Sequence, residues 1–348
     1  MSDVLFINAN QIHDTKERSQ AARYILEELI RRENIVLEKE IPLKVHFGED
    51  GNTTYIPPYS YDGIIDALCE RGIKSSFIET SVLYAGKRAH SKTHEALARS
   101  HGFTRLPVII ADGTAGENFC EVRIDGSHFT NCKIGAEFLK YRQMIVLSHF
   151  KGHQIAGFGG AIKQLSMGCA AKGGKLEMHR GVKPYVISFL CRSCGICTQN
   201  CRTNAITADK KAKIDTSKCT GCGACYALCP HKAIAIYTPI SLYSLIFRRK
   251  EFYEALAEYA LAAQKGKRCI YINFAMNITN GCDCLGRKMT PVLPDIGIFA
   301  SCDPVAADAA CLAASRAVGK NFKGKHQLEH AQKIGLGSMS YRLVEICL

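Results

Sequence analysis

No run of about 18 apolar residues occurs in this chain, so no membrane span is expected. The apolar stretch 235–247 is broken by Thr238, Pro239 and Ser241. The opening MSDVLFINANQIHD lacks a basic start followed by a sustained apolar segment. No secretory signal is therefore expected, and the expected compartment is cytoplasmic and reducing. No G-x-G-x-x-G follows a strand-like segment, which gives no ground for a dinucleotide site. The composition, 47% apolar and 22% charged, is that of an ordinary globular protein.

Cysteine is what the chain has in quantity: 18 among 348 residues. Eight fall into two copies of one pattern, Cys191, Cys194, Cys197, Cys201 and Cys219, Cys222, Cys225, Cys229, the second followed by Pro230. Both read C-x2-C-x2-C-x3-C, the spacing of bacterial two-cluster ferredoxins. The flanks repeat as well: CRSCGICTQNCRTNAI aligns with CTGCGACYALCPHKAI, 28 residues on. Three cysteines at this spacing wrap a loop around one cubane. Small residues between them (Gly195, Gly221, Gly223, Ala224) let backbone amides reach the cluster sulfurs. The fourth cysteine of such a run ordinarily ligates the other cluster. Two 4Fe–4S clusters are therefore expected, one on Cys191, Cys194, Cys197 and Cys229, the other on Cys219, Cys222, Cys225 and Cys201. Structural zinc pairs C-x2-C units across a longer gap, and disulfides do not suit a reducing compartment. Arg202 stands where a proline is usual and removes no ligand.

The formal net charge of +13 falls to roughly +9 once two clusters and their thiolates are counted. The basic runs Arg248 to Lys250, Lys265 to Arg268 and Lys320 to Lys325 are spread along the chain. With no reader motif, nucleic acid is not the expected partner. An acidic redox partner or an anionic substrate fits better.

Outside the repeat, strand and helix patterns alternate. Leu43–Phe47, Ser76–Thr80 and Pro107–Ala111 read as strands, separated by helices beginning near Ser60 and His90. An amphipathic helix over Ser19–Arg32 precedes them. Later come a strand at Met144–Leu147, a helix over Glu251–Gln264, and strands at Cys269–Phe274 and Ile296–Ser301. Asp303-Pro304 opens a further helix, running to about Ala317. The expected fold is α/β: an open, mostly parallel sheet with flanking helices, interrupted by an inserted α+β ferredoxin-like domain. The expected domains are 1–181, the insert 182–238, and 239–348, with joints at Lys183-Pro184 and Thr238-Pro239.

In open α/β sheets, ligands bind beyond the carboxyl ends of the strands. One such loop carries Lys44, His46, Gly48, Glu49, Gly51 and Asn52. Another, 148–175, carries His149, Lys151, His153, Lys163, Lys172 and Lys175 among glycines that include Gly157, Gly159 and Gly160. Basic residues among glycines suit an anionic group, while a tight turn with solvated lysines is the plain alternative. His149 and His153 are candidate proton carriers and Lys151 and Lys163 candidate catalytic cations. His46, Glu49, Lys175 and the three glycines are candidate cofactor-binding residues. Cys169, Cys282 and Cys284 are candidates for a further metal or iron–sulfur centre, provided the fold brings their loops together. Cys69, Cys120, Cys132, Cys269, Cys311 and Cys347 read as structural.

Three blocks carry a family resemblance: KGHQIAGFGGAIKQLSMGCAAKGGK, the twin cysteine motif, and NFAMNITNGCDCLGRKMTPVLPDIGIFASCDPVAAD. Together they resemble the uncharacterised iron–sulfur centre proteins of domain of unknown function 362, over most of residues 43–317. The resemblance implies the same layout and cluster content and supplies no reaction. Separately, HQIAGFGGAIK is similar to the H-x-x-AGFSGGRK stretch of nickel-pincer lactate racemases. That likeness implies an acid/base role for His153 and an anchoring role for Lys163. Ala161 and Ile162 replace the Gly and Arg of that motif, and the racemases lack the insert.

The leading expectation is an iron–sulfur oxidoreductase passing electrons from two clusters to a substrate or metal centre in the α/β cleft. An electron-transfer or iron–sulfur assembly protein without its own substrate is the alternative. A racemase-like or isomerase-like enzyme is the third.

Overall fold

The computed structural model describes residues 1–84, 86–179, 184–201, 203–219, 221, 223–236 and 249–348. Cys222, Arg202 and the joints expected at Lys183 and at Thr238-Pro239 lie outside the described residues.

Eight strands form one sheet: β1 (Ser2–Asn8), β2 (Leu43–Lys44), β3 (Phe77–Glu79), β4 (Val108–Ile110), β5 (Gln143–His149), β6 (Arg268–Ala275), β7 (Gly297–Ser301) and β8 (Tyr341–Glu345). Their order is β8-β1-β7-β6-β5-β2-β3-β4. Neighbours pair parallel except where β7 meets β1 and β6. The sheet is thus mostly parallel, and β2 to β6 all end at the same edge.

The period-2 pattern of the strands divides the core between two faces. Leu5, Ile145, Leu147, Ile270, Ile272 and Phe274 bury on one face. Against them pack α1 (Thr15–Arg32) and α2 (Asp62–Glu70), with α3 (Ser91–Ser100) contributing Ala98. Phe6, Val146, Tyr271 and Phe299 turn to the opposite face. There lie α4 (Ala161–Cys169), α5 (Lys172–Met178), α8 (Arg249–Gln264), α9 (Pro304–Ala317) and α10 (Lys325–Lys333). The stripe Phe252, Leu256, Tyr259 and Ala263 of α8 is buried as its periodicity requires. Asp303 caps α9 by accepting from the amides of Val305 and Ala306.

The twin cysteine segment sits in the crossover from β5 to β6. It has a small core of its own, built on Cys191, Ile206, Ala212, Cys225, Ala233 and Ile234. Two short antiparallel pairs frame it, Tyr185–Val186 with Ile234–Ala235 and Ile206–Ala208 with Ala212–Ile214. The sequence repeat is also a backbone repeat. The short helices α6 (Ile196–Gln199) and α7 (Ala224–Leu228) correspond, each entered through a left-handed glycine, Gly195 (φ 76°) and Gly223 (φ 73°). Left-handed Ser193 and Asn204 likewise match Gly221 and Lys232.

Candidate functional site

Because β2, β3, β5 and β6 end together, the loops that follow them meet at one edge. The 276–296 loop folds a turn there, closed by the Leu285 amide on the Cys282 carbonyl at 3.0 Å. Between its two cysteines lies Asp283, fully buried. Its carboxylate accepts from His149 Nδ1 at 2.9 Å and Lys151 Nζ at 2.6 Å. Burial opposes ionisation of Asp283, but these cations outweigh it and hold the carboxyl below the usual range. His149 also turns Nε2 to the Met276 carbonyl at 2.8 Å, and Lys151 donates to the His149 carbonyl at 3.0 Å. Both ring nitrogens of His149 are thus engaged with acceptors. His149 and Lys151 tie the cysteine turn to β5.

With Asp283 pinned inward, Cys282 and Cys284 meet His153 and Lys163. One ligand atom from each of Cys282, Cys284 and His153 lies within 4.8 Å of the others. Lys163 Nζ is 3.7 Å from Cys282 Sγ, and the Cys284 amide donates to that sulfur at 3.4 Å. The Cys284 thiol, then Lys163 and His153, hold the Cys282 thiol well below its ordinary pKa against the pull of burial. The same partnership, with burial, pushes Cys284 up. Burial lowers Lys163, but the sulfur beside it prevails and the ammonium sits above its ordinary value. Burial and then Lys163 lower His153. Its Nδ1 accepts from the amides of Ile155 (3.2 Å) and Ala156 (3.0 Å), which places its ring proton on Nε2.

His46 and Glu49 border this group. His46 Nε2 lies 3.1 Å from the buried Arg88, and burial followed by that guanidinium keeps the imidazole pKa well below its ordinary value. Glu49 accepts from the Tyr84 hydroxyl at 2.6 Å, and its amide donates to the Asp283 carbonyl. A cavity of about 410 Å³ opens alongside, lined by Asn52, Tyr55, Tyr59, His101 and Asn277. Asn52 fastens this wall to the cysteine turn through the Leu285 carbonyl.

Three expectations are corrected by placement. Cys169 ends α4 at the opposite edge of the sheet, among Lys44, Cys269 and Lys267, with burial pushing its thiol up to about 12. A helix antiparallel to the strands carries its last residue away from the loops, so His153 stands with Cys282 and Cys284 in its place. Second, Gly157, Gly159 and Gly160 answer to packing. A Cβ at Gly157 would lie 2.1 Å from the Lys323 carbonyl oxygen, one at Gly160 2.2 Å from Asp308, and one at Gly159 3.1 Å from Lys163. The anion received by this helix start is the chain's own Asp308, which accepts from the amides of Ala161 and Ile162. Third, Lys175 belongs to a buried network on α5. It donates to Thr80 and Ser81, and burial lowers it to about 8. That network also holds Glu79 between Lys44 and Arg88, each at 2.9 Å. Arg88, Tyr84, Asp283 and Asp308 were not singled out by sequence; only the CDC and DPVAAD segments around two of them gave a signal.

In the twin cysteine segment, one cavity is lined by Cys191, Cys194, Cys197 and Cys229 together with other residues of the segment. The other is lined by Cys201, Cys219 and Cys225, and its wall includes Glu117 and Phe119 of the α/β body. Backbone amides donate to four of these sulfurs: Ala212 to Cys191, Ala205 to Cys201, Gly221 to Cys219 and Ala233 to Cys229, at 3.2–3.4 Å. Converging sulfurs that accept amide hydrogens are a donor set suited to thiolate ligation of iron–sulfur clusters.

No helix among the described residues is long and apolar enough to cross a membrane. Over 47 residues the chain is 47% identical to a component of the ion-translocating oxidoreductase complex of Methanosarcina acetivorans, covering 13% of this chain and 18% of that one. The chain thus spans less than a fifth of that relative's length. Among solved structures, a Thermotoga maritima protein is similar at 12% identity and TM-score 0.44, covering 88% of this chain and 60% of that one. The lactate racemase apoprotein of Thermoanaerobacterium thermosaccharolyticum is similar at 12% identity and TM-score 0.37, covering 79% and 51%. Residues 41–313 match the family model described as Domain of unknown function (DUF362), and the chain belongs to that family.

Proposed function

We propose that this chain is an iron–sulfur redox protein that carries electrons through two 4Fe–4S clusters to the Cys282–Cys284 edge of its α/β body. What carries the reading is the partition of cysteines between the two cavities. Each cavity combines cysteines from both copies of the repeat, as two-cluster ferredoxin ligation requires. Cys191, Cys194, Cys197 and Cys229 would hold the outer cluster. Cys201, Cys219, Cys222 and Cys225 would hold the inner one. Bound there, the clusters supply one-electron transfer.

The chain's own residues support an order for the two centres along this route. The outer cavity is walled by its own segment, with Cys194 exposed nearby, whereas Glu117 and Phe119 of the body close the inner one. Gly223 of the inner loop packs on α5, where a Cβ would meet Lys172 at 3.4 Å and Leu176 at 3.5 Å. From α5, the contacts of Lys175, Glu79 and Arg88 lead to His46 at the sheet edge. The positive charge of the chain as a whole, roughly +9 with two clusters and their thiolates counted, suits an acidic partner.

Iron and acid-labile sulfide on anaerobically purified protein, with EPR of the reduced sample, test this. About eight irons per chain are expected, falling to about four in Cys225→Ser. Zinc in place of iron, or cysteine substitutions that leave the iron count unchanged, would refute it.

A further inference from the structure

We propose that Cys282 and Cys284 form a redox-active pair that cycles between a disulfide and a thiol–thiolate, converting single electrons into two-electron chemistry. The proposal rests on the electron-transfer reading above and deepens it at the same site.

The geometry of the turn carries it. Two Cα steps of about 3.8 Å, folded through a turn, bring the α-carbons into the roughly 4.4–6.8 Å window of disulfides. The Leu285 amide closes that turn, and the buried Asp283 between the cysteines is anchored inward by His149 and Lys151. The two sulfurs lie within 4.8 Å of each other and of a His153 ring nitrogen. Lys163 and the Cys284 amide both donate to the Cys282 sulfur, so the turn already provides for a thiolate there.

A metal ion is the competing occupant of these three residues, and the histidine argues against it. A ligating imidazole offers a lone pair to the metal and donates its other N–H to an acceptor. His153 Nδ1 faces two amide donors, Ile155 and Ala156, so its proton is on Nε2, the nitrogen left for an ion. As an N–H donor, Nε2 serves a sulfur anion and opposes a cation.

The step balances. The Cys282–Cys284 disulfide takes up two electrons and one proton. The S–S bond breaks, the proton goes to Cys284, and Cys282 is left as a thiolate beside Lys163. Two reduced 4Fe–4S clusters supply the electrons, one each, and return to their oxidised state. Solvent supplies the proton.

The test uses anaerobic holoprotein exposed to a mild thiol oxidant, then acid-quenched, denatured and treated with iodoacetamide. The tryptic peptide 269–287 contains Cys269, Cys282 and Cys284. It should take one alkyl group after oxidation and three after full reduction. Reductive titration should take up about four electrons per wild-type chain and about two in Cys284→Ser, whose clusters are untouched. Three alkyl groups on the oxidised wild-type peptide, or equal uptake by both proteins, would overturn the proposal. So would a stoichiometric metal ion lost in Cys284→Ser at constant cluster iron, because it would make the site a metal centre. A reversible disulfide in protein that lacks cluster iron would uphold the pair and refute only its supply of electrons.

Discussion

Asp283→Asn is the sharpest perturbation of the site. The carboxylate is fully buried and lies 2.9 Å from His149 and 2.6 Å from Lys151, themselves nearly buried. Removing the charge strands cationic partners that cannot reach water. Breaking one side of a buried pair costs roughly 3–5 kcal/mol. That is a large part of the 5–15 kcal/mol or so that holds a domain together. At about 2–4 °C per kcal/mol, melting should fall by on the order of 10 °C. The readout is thermal melting followed by circular dichroism, with clusters kept intact under anaerobic conditions. A second readout is local: the unpinned turn should expose Cys282, and native-state alkylation of peptide 269–287 should accelerate. In the double variant Asp283→Asn/Lys151→Met, one stranded cation is gone, so about half the loss should return. An unchanged melting temperature, or a double variant no better than the single, would show that Asp283 does not carry the turn.

Asp308→Ala should cost about 2–3 kcal/mol in melting experiments, since it orphans the amides of Ala161 and Ile162. Gly160→Ala, which collides with Asp308, should be far less harmful in that background than alone. Lys175 has a folded pKa of about 8 against an ordinary 10.5. The unfolded chain therefore binds more protons between these values, and stability should rise with pH from 8 toward 10.5, by at most roughly 3 kcal/mol. Lys175→Met should flatten that rise in melting curves recorded across the window. Lys172→Gln removes a buried cation beneath the inner cysteine loop. It should lower the inner cluster's potential by on the order of tens of millivolts in EPR-monitored titration, and an unmoved potential would detach α5 from that cluster.

The sequence was most readable where local chemistry decides structure. The Asp303-Pro304 start of α9, the buried stripe of α8 and the strands ending near His149 and Phe274 all lie where their patterns put them. Strand β8 was not visible, because Tyr341–Glu345 is an edge strand with several exposed residues and no apolar run. Nor does a local pattern give direction: β7 reads like its neighbours yet runs antiparallel to both, because the 276–296 loop turns the chain straight back along β6. The glycine-rich loop misled for a physical reason. Glycine marks close approach, and sequence does not say of what; here it is Asp308, 148 positions from Gly160. Cys169 misled because proximity in a motif block is not proximity across a helix. Nine residues of α4 lead it away from the edge at which the block begins.

Environment sorts the cysteines more finely than spacing does. Burial pushes the Cys169 and Cys269 thiols up to about 12 and about 11, overriding Lys44 and Lys267 nearby, and Cys311 is raised by burial in the same way. Such sulfurs are packing atoms, held neutral where a thiolate would be costly. In the repeat, the amides of Ala212 and Ser193 hold Cys191 below its ordinary value against the opposing pull of burial. Those amides converge because left-handed residues recur at matching places in both copies. At Cys282 the same end is reached by different means: a neighbouring thiol, an ammonium and an imidazole overcome full burial. Amide donors can be built from any loop and suit a ligand whose charge is shared with iron. Side-chain donors must be brought from separate elements and are needed where a sulfur has to carry its charge alone. The parallel edge formed by β2, β3, β5 and β6 is where this chain can assemble them, which is why its second kind of reactive cysteine lies there, away from the repeat.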